Sequence, residues 1–219
     1  MPAQRDVLAT ESGWGMLERY VDILMGYLPS HPHAHIRLAS FDNGKGKRCP
    51  VVRRTATVDD YTAHLAPDAY GGIGALGVYP SLPGEPLPKG GHRWHSSFIA
   101  LDFDKHKPLE LVGLTDALLE RGALSRASCG TSGRGSHLYL LLSDPIPTIK
   151  AYEIAQNIAD LAKNHKLAVP ECFPSHPCKR GNAILLPYRG ALHDGYGFNP
   201  LLDPTNDFMP IRLEALAFG

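Results

Sequence analysis

Asp102 and Asp104 are the residues of this 219-residue chain whose type and spacing most directly indicate chemistry. They follow the apolar run Phe98–Leu101, which predicts a buried strand. Because side chains alternate along a strand, carboxylates two residues apart project from the same face of a sheet. Two close carboxylates repel each other unless a cation neutralises them, and their oxygens suit Mg²⁺ or Mn²⁺. The pair therefore predicts a metal site; the alternative is a strand that ends in a solvated acidic turn.

A glycine-rich turn followed by an apolar strand forms a second group of candidate residues, between positions 130 and 142. The glycines let the backbone approach an anion closely, and successive N–H groups in such a turn can surround a phosphate. A hydroxyl, a guanidinium and an imidazole would add further donors. We therefore expect phosphate contact at Ser132, Gly133, Arg134, Gly135 and His137. The alternative for His137 is a buried histidine with a hydrogen-bond partner in the core.

A third group lies in the Pro-rich segment 169–187. Glu171 would add a third carboxylate to the metal site, while Lys179, Arg180 and Asn182 would face a nucleotide or a template. Cationic and amide side chains are common contacts of nucleic-acid backbones. The alternative is a surface turn followed by a hairpin, with the same side chains in solvent.

Cysteine and histidine side chains in this segment raise the question of zinc. Cys172, His176 and Cys178 have C-x₃-H-x-C spacing, which is cramped for a tetrahedral site, and a fourth ligand would have to come from far away. We therefore do not expect zinc. The four cysteines of the chain are too few and too scattered for a disulfide scaffold, and reduced thiols fit the cytoplasmic location that we expect.

The overall charge leaves a nucleic-acid partner open. The chain has 22 Lys and Arg residues and 22 Asp and Glu residues, so its formal net charge is zero. Overall charge therefore does not indicate a polyanionic partner, although a local basic groove can still attract one. The sequence has no apolar run of the ~18 residues that a transmembrane helix needs, and no signal-peptide pattern at its start, so we expect no membrane association.

Hydrophobic periodicity predicts helices and strands along the whole chain. The helix candidates are 13–28, 57–65, 109–121 and 148–166, with one further short helix near the end. The strand candidates are 36–41, 72–79, 98–101, 125–129, 137–142 and 183–187. We expect a long Pro- and Gly-rich loop over 80–91, and a solvated turn at the three histidines His31, His33 and His35.

The order of the elements over residues 98–187 is β–α–β–turn–β–α–β. Antiparallel pairing across the 130–136 turn and two crossover helices fit a split βαβ arrangement, the ferredoxin-like or RRM-like topology. This places the Asp102 strand centrally, beside the His137 strand. We therefore expect an α+β fold in which residues 1–219 form one two-lobed domain. Its parts would be a smaller N-terminal α/β lobe over about 1–88 and an RRM-like core with a C-terminal extension over about 89–205.

Together, the three groups resemble the archaeo-eukaryotic primase superfamily, also called the primase–polymerases. The resemblance rests on hydrophobic-D-x-D in Phe98–Asp104, on S-G-x-G-x-H in Ser132–His137, and on E-x-F-P followed by G-N-x-x-x-L-P in Glu171–Pro187. It covers roughly residues 88–205. The third motif is most similar to primase domains of bacterial mobile elements, plasmids and conflict systems, whereas the N-terminal portion matches only in position.

This resemblance implies a template-directed nucleotidyltransferase, a DNA primase or DNA polymerase, with the primase catalytic fold. Asp102, Asp104 and Glu171 would hold two divalent ions, Mg²⁺ or Mn²⁺, and Glu171 stands where other branches often have Asp. Ser132, Arg134 and His137 would hold the triphosphate of the incoming nucleotide. The implied partners are a single-stranded DNA template, nucleoside triphosphates and, in a longer protein, a helicase or a further domain.

Two other functions fit the same residues. A metal-dependent nuclease or phosphoesterase would use the three acids together with His137 and would release nucleotides without added triphosphates. A non-catalytic nucleic-acid or nucleotide-binding module would keep its function when the acids are replaced. The presence of all three acids favours an enzyme.

Overall fold

In the computed structural model, the described residues are 11–29, 35–38, 51–70, 75–123, 125–129 and 135–218. The chain divides into two compact units. Unit 1 comprises Met1–Val78, Leu185–Pro200 and Ile211–Gly219, and unit 2 comprises Tyr79–Ile184 and Leu201–Pro210. Among the described residues, no helix is both long enough and apolar enough to cross a lipid bilayer.

The helices and strands are numbered here in chain order. The α-helices are α1 (Glu11–Tyr27), α2 (Val58–Leu65), α3 (Val112–Leu119) and α4 (Thr148–Asn164), and the 3₁₀ helices are Pro67–Tyr70, Pro108–Leu111 and Leu213–Phe218. The strands are β1 (His35–Leu38), β2 (Val51–Val52), β3 (Ala75–Val78), β4 (Ser81–Pro86), β5 (His92–Phe103), β6 (Arg126–Cys129), β7 (Ser136–Pro147), β8 (Glu171–Phe173), β9 (Ile184–Leu185), β10 (Leu201–Asp203) and β11 (Met209–Pro210). The four helices predicted from periodicity are confirmed, although α3 is preceded by a 3₁₀ turn where a single helix was expected.

Unit 2 is built on a sheet ordered β11–β10–β6–β7–β5–β4, in which β8 also pairs with β5. The pairings among β8, β5, β7 and β6 are all antiparallel. Helix α3 connects β5 to β6 and helix α4 connects β7 to β8. This order is the split βαβ arrangement of the ferredoxin-like fold. The predicted α+β class and the pairing of the Asp102 strand with the His137 strand are confirmed.

The strand that completes this core is not the one that the sequence predicted. We expected residues 183–187, but β9 belongs to a second sheet, ordered β2–β1–β3–β9. The fourth core strand is β8, which has three residues and lies between Pro170 and Pro174. A strand of three residues is too short to show a periodicity. The prolines on either side lack a backbone N–H donor, which is typical of an irregular segment.

One face of the unit 2 sheet carries the apolar core. Ile99, Leu101 and Phe103 of β5 pack with Leu138 and Leu140 of β7. Helix α4 contributes mostly small side chains to this core: Ala151, Ala155, Ile158, Ala159 and Ala162. Small side chains let the helix backbone lie close to the sheet, and burying each large apolar side chain stabilises the fold by roughly 1.5–3 kcal/mol. Because side chains alternate along a strand, the even-numbered residues of β5 lie on the other face.

The pairing of β5 with β7 changes register part-way along the two strands. Ser96 lies opposite Ile146, whereas Phe98 lies opposite Leu141, so β5 advances by two residues while β7 advances by five. The extra residues of β7 form an irregularity between two regularly paired halves. The inner half of β5 therefore has its own fixed register, which continues to Phe103 opposite Ser136.

Residues 81–86 form a strand, so the prediction of a long loop over 80–91 was wrong. β4 pairs with β5 from Ser81 opposite Ser96 to Pro86 opposite His92, with a register shift after Pro83. β4 lies at the end of the sheet order, and an edge strand tolerates prolines because its outward N–H groups need no partner. The prolines that indicated a loop in the sequence are therefore typical of an edge strand.

Unit 1 packs helices on its own four-stranded sheet. Tyr20 and Leu24 of α1 are buried, as is Tyr61 of α2, whose hydroxyl donates to the carbonyl of Leu28 at 3.1 Å. His64 of α2 is also buried and lies between two backbone partners. Its Nδ1 accepts from the N–H of Leu76 at 3.1 Å, and its Nε2 lies 2.7 Å from the carbonyl of Pro187.

His35 is a structural residue of unit 1, although the sequence predicted a solvated turn at this position. It begins β1 and is fully buried, with Nδ1 3.0 Å from the carbonyl of Arg54 and Nε2 3.8 Å from a carboxylate oxygen of Asp60. The Arg54 guanidinium and the backbone N–H of Thr57 also bind Asp60. These partners lower the pKa of Asp60 to about 2 against the opposing effect of burial. His31 and His33 lie outside the described residues.

A first prediction concerns Gly135, which precedes β7 and lies against the end of β5. A Cβ atom at this position would lie 2.5 Å from the carbonyl oxygen of Phe103 and 2.9 Å from the Cα of Asp104. Both contacts are with backbone atoms, so Gly135→Ala must displace a strand. We expect a loss of about 1–3 kcal/mol in the free energy of unfolding, measured by urea denaturation.

Gly26→Ala is the matched control for this change. Gly26 lies in α1 and has no atom within 4 Å of the added Cβ. Replacing it with alanine should stabilise the protein by about 0.5–1 kcal/mol through helix propensity. Equal effects of the two substitutions would contradict the close approach of Gly135 to β5.

Candidate active site

Three of the predicted site residues lie in one row across the sheet of unit 2. Asp102 of β5 is directly opposite His137 of β7 on one side and directly opposite Glu171 of β8 on the other. Directly opposed residues of antiparallel strands project from the same face, with Cβ atoms about 4.5–5.5 Å apart. The fold therefore brings together two carboxylates and an imidazole that are up to 69 positions apart in the chain, from 102 to 171. This face is opposite the core that packs on α3 and α4.

Asp104 lies just beyond the end of β5 and is exposed to solvent. Its charge nevertheless acts on the row, because it raises the pKa of Asp102 and opposes the fall in the pKa of His137. The sequence predicted that Asp102 and Asp104 would project from one strand. Only Asp102 is within the strand, while Asp104 begins the turn that follows it.

Asp102 is the most perturbed carboxylate of this group. Its side chain is 27% exposed, and burial raises its pKa to about 6, with further contributions from the negative charges of Asp104 and Glu171. Burial and two neighbouring carboxylates both disfavour the charged form of Asp102. Such a group gains from a bound cation, which would lower its pKa again.

His137 is the buried member of the row, with 5% of the residue exposed. Burial lowers its pKa to about 4, although the charge of Asp104 acts in the other direction. Nε2 of His137 lies 3.6 Å from Oδ1 of Asp102. Because the ring is neutral at pH 7, this contact is a dipole–charge contact and not an ion pair.

Glu171 is exposed and is held by the loop that follows β8. The side-chain amide of Asn182 donates from Nδ2 to Oε1 of Glu171 at 2.7 Å. The backbone N–H of Asn182 in turn donates to Oγ of Ser175 at 2.7 Å. Gly181 has a φ of +71° and packs against Ser175, which suits a residue without a Cβ atom. The loop thereby returns Asn182 to the beginning of β8.

The two cations of this loop have different surroundings. Lys179 is exposed, whereas the guanidinium of Arg180 lies over the ring of Tyr79, 4.5 Å from its centroid. A cation over an aromatic face is attracted to the ring electrons. The sequence predicted that Lys179, Arg180 and Asn182 would face a nucleotide or template. For all three residues this stays a prediction.

Cys172 and Cys178 lie in different environments. Cys172 follows Glu171 in β8, so it points to the opposite face, where its Sγ lies 3.6 Å from the carbonyl of Ala155. Burial raises its pKa to about 11, helped by the charges of Glu171 and Asp160. Cys178 is exposed, and its backbone N–H donates to Nδ1 of His176 at 3.0 Å. Cys172 is therefore a packing residue beneath α4.

The donor set of the row suits a hard divalent cation that keeps part of its hydration shell. In the portion of the chain that the structure describes, no three His, Cys, Asp or Glu side chains form a ready-made metal cage. Mg²⁺ commonly binds through one or two carboxylates, with water and substrate phosphates completing its shell. Asp102 and Glu171, opposite each other on adjacent strands, meet that requirement with oxygen donors.

Part of the predicted phosphate-binding turn lies outside the described residues, namely Ser132, Gly133 and Arg134. Gly135 is described, and its close approach to the backbone of Phe103 and Asp104 places the end of this turn beside the acidic residues. The turn that leads into β7 therefore ends next to Asp104.

No family model matches this chain, and no curated protein matches it. Among solved structures it is similar to the polymerase domain of Mycobacterium tuberculosis Ligase D in complex with DNA, with 14% identity and a TM-score of 0.44. The similarity covers 94% of this chain and 87% of that chain. A likeness at this TM-score does not by itself indicate a shared function.

Two residues of the site were not found from the sequence. Tyr139 follows His137 by two positions, and its hydroxyl lies 3.0 Å from Nδ1 of the histidine. The i, i+2 spacing within a predicted strand was the available signal, because it places both side chains on one face. Ser175, which receives the backbone N–H of Asn182, has no comparable signal because its contact depends on the course of a loop.

A second prediction concerns the pH dependence of stability in the presence of a chelator. The pKa of Asp102 is higher in the folded protein than the ~3.9 of an unfolded chain, so its contribution to stability decreases as the pH rises from ~4 to about 6. The pKa of His137 is lower than the ~6.5 of an unfolded chain, so its contribution decreases as the pH falls from ~6.5 to about 4. The two slopes oppose each other.

Replacing one residue at a time should reveal each slope. Relative to the wild type, Asp102→Asn should gain on the order of 2 kcal/mol in unfolding free energy between pH 4.5 and 7.5, and His137→Asn should lose a similar amount. Urea denaturation at a series of pH values measures both differences. Asp116→Asn, a charge removal at an exposed position of α3, is the control and should give a flat difference. Slopes of the same sign for the two site variants would contradict the assigned pKa directions.

Proposed function

We propose that this chain is a template-directed nucleotidyltransferase, a primase or DNA polymerase of the archaeo-eukaryotic primase superfamily. The observation that carries the proposal is the row of Glu171, Asp102 and His137 on one face of a ferredoxin-like sheet. The row combines two oxygen donors for a cation with a neutral hydrogen-bond donor beside them. Phosphoryl transfer needs this combination of positioned acids and phosphate-binding groups, and little covalent chemistry from the protein.

The metal site would consist of Asp102, Asp104 and Glu171. When bound there, Mg²⁺ or Mn²⁺ would neutralise phosphate charge and favour attack by a primer 3′ oxygen. The raised pKa of Asp102 supports this assignment, because burial and repulsion from Asp104 and Glu171 both disfavour its charge, and a bound cation would offset that cost. Asp104, at the end of the strand, would provide a more adaptable ligand than the two strand residues. Two ions per site is the arrangement that we propose.

The nucleotide would lie with its triphosphate along the start of β7. His137 would contact it through a neutral imidazole, since burial disfavours the charged ring. Ser132, Gly133, Arg134 and Gly135 would surround the phosphates from the turn that precedes β7. Lys179 is exposed and free to contact a phosphate of the nucleotide or of the single-stranded DNA template. Arg180 would act in the same region while remaining near Tyr79.

We further propose that residues 1–219 act as one catalytic domain, as predicted from the sequence. A helicase or an additional domain as partner remains a prediction of the resemblance, and a cytoplasmic location remains a prediction from the sequence pattern.

A third prediction tests the activity directly. The protein is incubated with a primed single-stranded template, labelled deoxynucleoside or ribonucleoside triphosphates, and Mg²⁺ or Mn²⁺. Incorporation should depend on template, triphosphate and metal together. Asp102→Asn and Glu171→Gln should each lower the rate by at least about 100-fold, because each removes a charge that holds the cation.

Two controls accompany this experiment. Asp116→Asn and Glu120→Gln make the same chemical changes at exposed positions in and next to α3 and should leave incorporation unchanged. Near-normal incorporation by either site variant would contradict the metal assignment. Release of nucleotides from DNA without added triphosphates would instead indicate a nuclease.

A fourth prediction concerns the hydrogen bond between Asn182 and Glu171. Asn182→Ala removes the donor at 2.7 Å and should weaken Mn²⁺ binding about fivefold, because a net hydrogen bond contributes about 1 kcal/mol. Asn182→Asp places a second negative charge beside Glu171 and alters metal affinity by charge as well as by geometry. Mn²⁺ binding is measured by electron paramagnetic resonance in the absence of nucleotide.

Asn157→Ala is the control for this series, since Asn157 is an exposed amide on α4. It should leave Mn²⁺ affinity unchanged. If Asn182→Ala bound Mn²⁺ normally but bound triphosphate more weakly, Asn182 would contact the nucleotide and not orient Glu171.

A further inference from the structure

The buried imidazole of His137 has a different partner at each ring nitrogen. Nδ1 lies 3.0 Å from the hydroxyl of Tyr139, and Nε2 lies 3.6 Å from Oδ1 of Asp102. A neutral imidazole has one N–H donor and one acceptor nitrogen, so the two partners together decide which nitrogen carries the hydrogen. The chemistry of each partner indicates which tautomer it favours.

The Asp102 side of the ring favours a hydrogen on Nε2. An ionised carboxylate only accepts hydrogen bonds, so a lone pair on Nε2 directed at Asp102 would face another electron-rich group. An N–H at that position faces the carboxylate favourably. The Tyr139 side permits the same arrangement, because a phenol hydroxyl can donate to an unprotonated Nδ1.

Tyr139 is itself held firmly in place. It is fully buried in β7, its ring lies edge-on to the imidazole at 6.0 Å and 71°, and it packs against Phe98 at 6.4 Å. A buried aromatic ring packed between two neighbours has few alternative rotamers, so its hydroxyl oxygen cannot move far from the imidazole. The position of the Tyr139 oxygen is therefore fixed by the packing of the sheet.

We propose that Tyr139 is a positioning residue that, together with Asp102, holds His137 in the tautomer with hydrogen on Nε2, so that this N–H lies in the acidic row and can also contact an anionic ligand bound there. The tautomer is argued from the contacts with Asp102 and Tyr139, whereas its use in triphosphate binding rests on the proposed function. Tyr139 itself touches neither substrate nor cation in this scheme. It acts through the imidazole.

The test is nuclear magnetic resonance of protein labelled with ¹⁵N-histidine, at pH 7 and without metal. Protonated and unprotonated ring nitrogens resonate far apart, so the spectrum reports the tautomer of His137 directly. We expect Nε2 to be protonated in the wild type. In Tyr139→Phe, which keeps the ring and removes the hydroxyl, only Asp102 still favours hydrogen on Nε2, so we expect a measurable population of Nδ1–H beside the wild-type tautomer.

Binding of a non-hydrolysable nucleoside triphosphate in Mn²⁺ is measured on the same proteins. Tyr139→Phe should weaken it about fivefold, as expected for the loss of one oriented hydrogen bond. Tyr61→Phe is the matched control, because Tyr61 is also a buried tyrosine whose hydroxyl has a backbone partner. It should change neither the His137 spectrum nor triphosphate affinity.

The outcomes separate the two levels of the proposal. A wild-type spectrum with hydrogen on Nδ1 would overturn it, and this result does not depend on whether Tyr139→Phe folds. An unchanged tautomer in Tyr139→Phe would overturn it as well. A changed tautomer with unchanged triphosphate affinity would remove the role of the N–H in binding. A wild-type protein that has the expected tautomer but binds no triphosphate would support the role of Tyr139 and count against the proposed function alone.

Discussion

The register of β5 with its two neighbours is the constraint on which the site depends. Strand β5 pairs with β7 on one side and with β8 on the other, and Asp102 is opposite a site residue in both pairings. A slip of one residue on either side would move its partner to the face that packs on the helices. The apolar core on that face, including Leu101 and Leu138, therefore fixes the register that aligns the acids and the imidazole. Burial on the opposite face then acts on the charge states, since it raises the pKa of Asp102 to about 6 and lowers that of His137 to about 4.

Much of the unit 2 fold could be predicted from the sequence because its long elements have clear patterns. Helix α4 and the inner parts of β5 and β7 combine regular apolar spacing with recognisable ends. The two errors both involve proline. Prolines in 80–91 indicated a loop where an edge strand forms, and prolines around β8 concealed a strand of three residues. Proline has no backbone N–H donor, and both loops and edge strands have positions where no donor is needed. Proline alone therefore does not distinguish the two.

The parts of the site that follow from local sequence patterns could be predicted. The alternation rule placed Asp102 on the face of a strand, and the paired strands placed His137 next to it. What the sequence could not show is which partner each polar group has. The contact of Asn182 with Glu171 depends on a loop that returns over eleven positions, and the pKa of Asp102 depends on burial. Both are properties of the packed protein and not of any short segment.

The change of register between Ser96 and Phe98 separates strand β5 into two mechanically different parts. The outer part belongs to a hairpin with β4, whereas the inner part carries Asp102 between β7 and β8. An irregularity of this kind interrupts the regular pairing, so a change in the length of one part of the strand need not shift the register of the other part. We therefore expect a change in the length of the β4–β5 hairpin, or a fusion to it, to disturb Asp102 little. That hairpin is the natural place to attach a probe or an additional module to this protein.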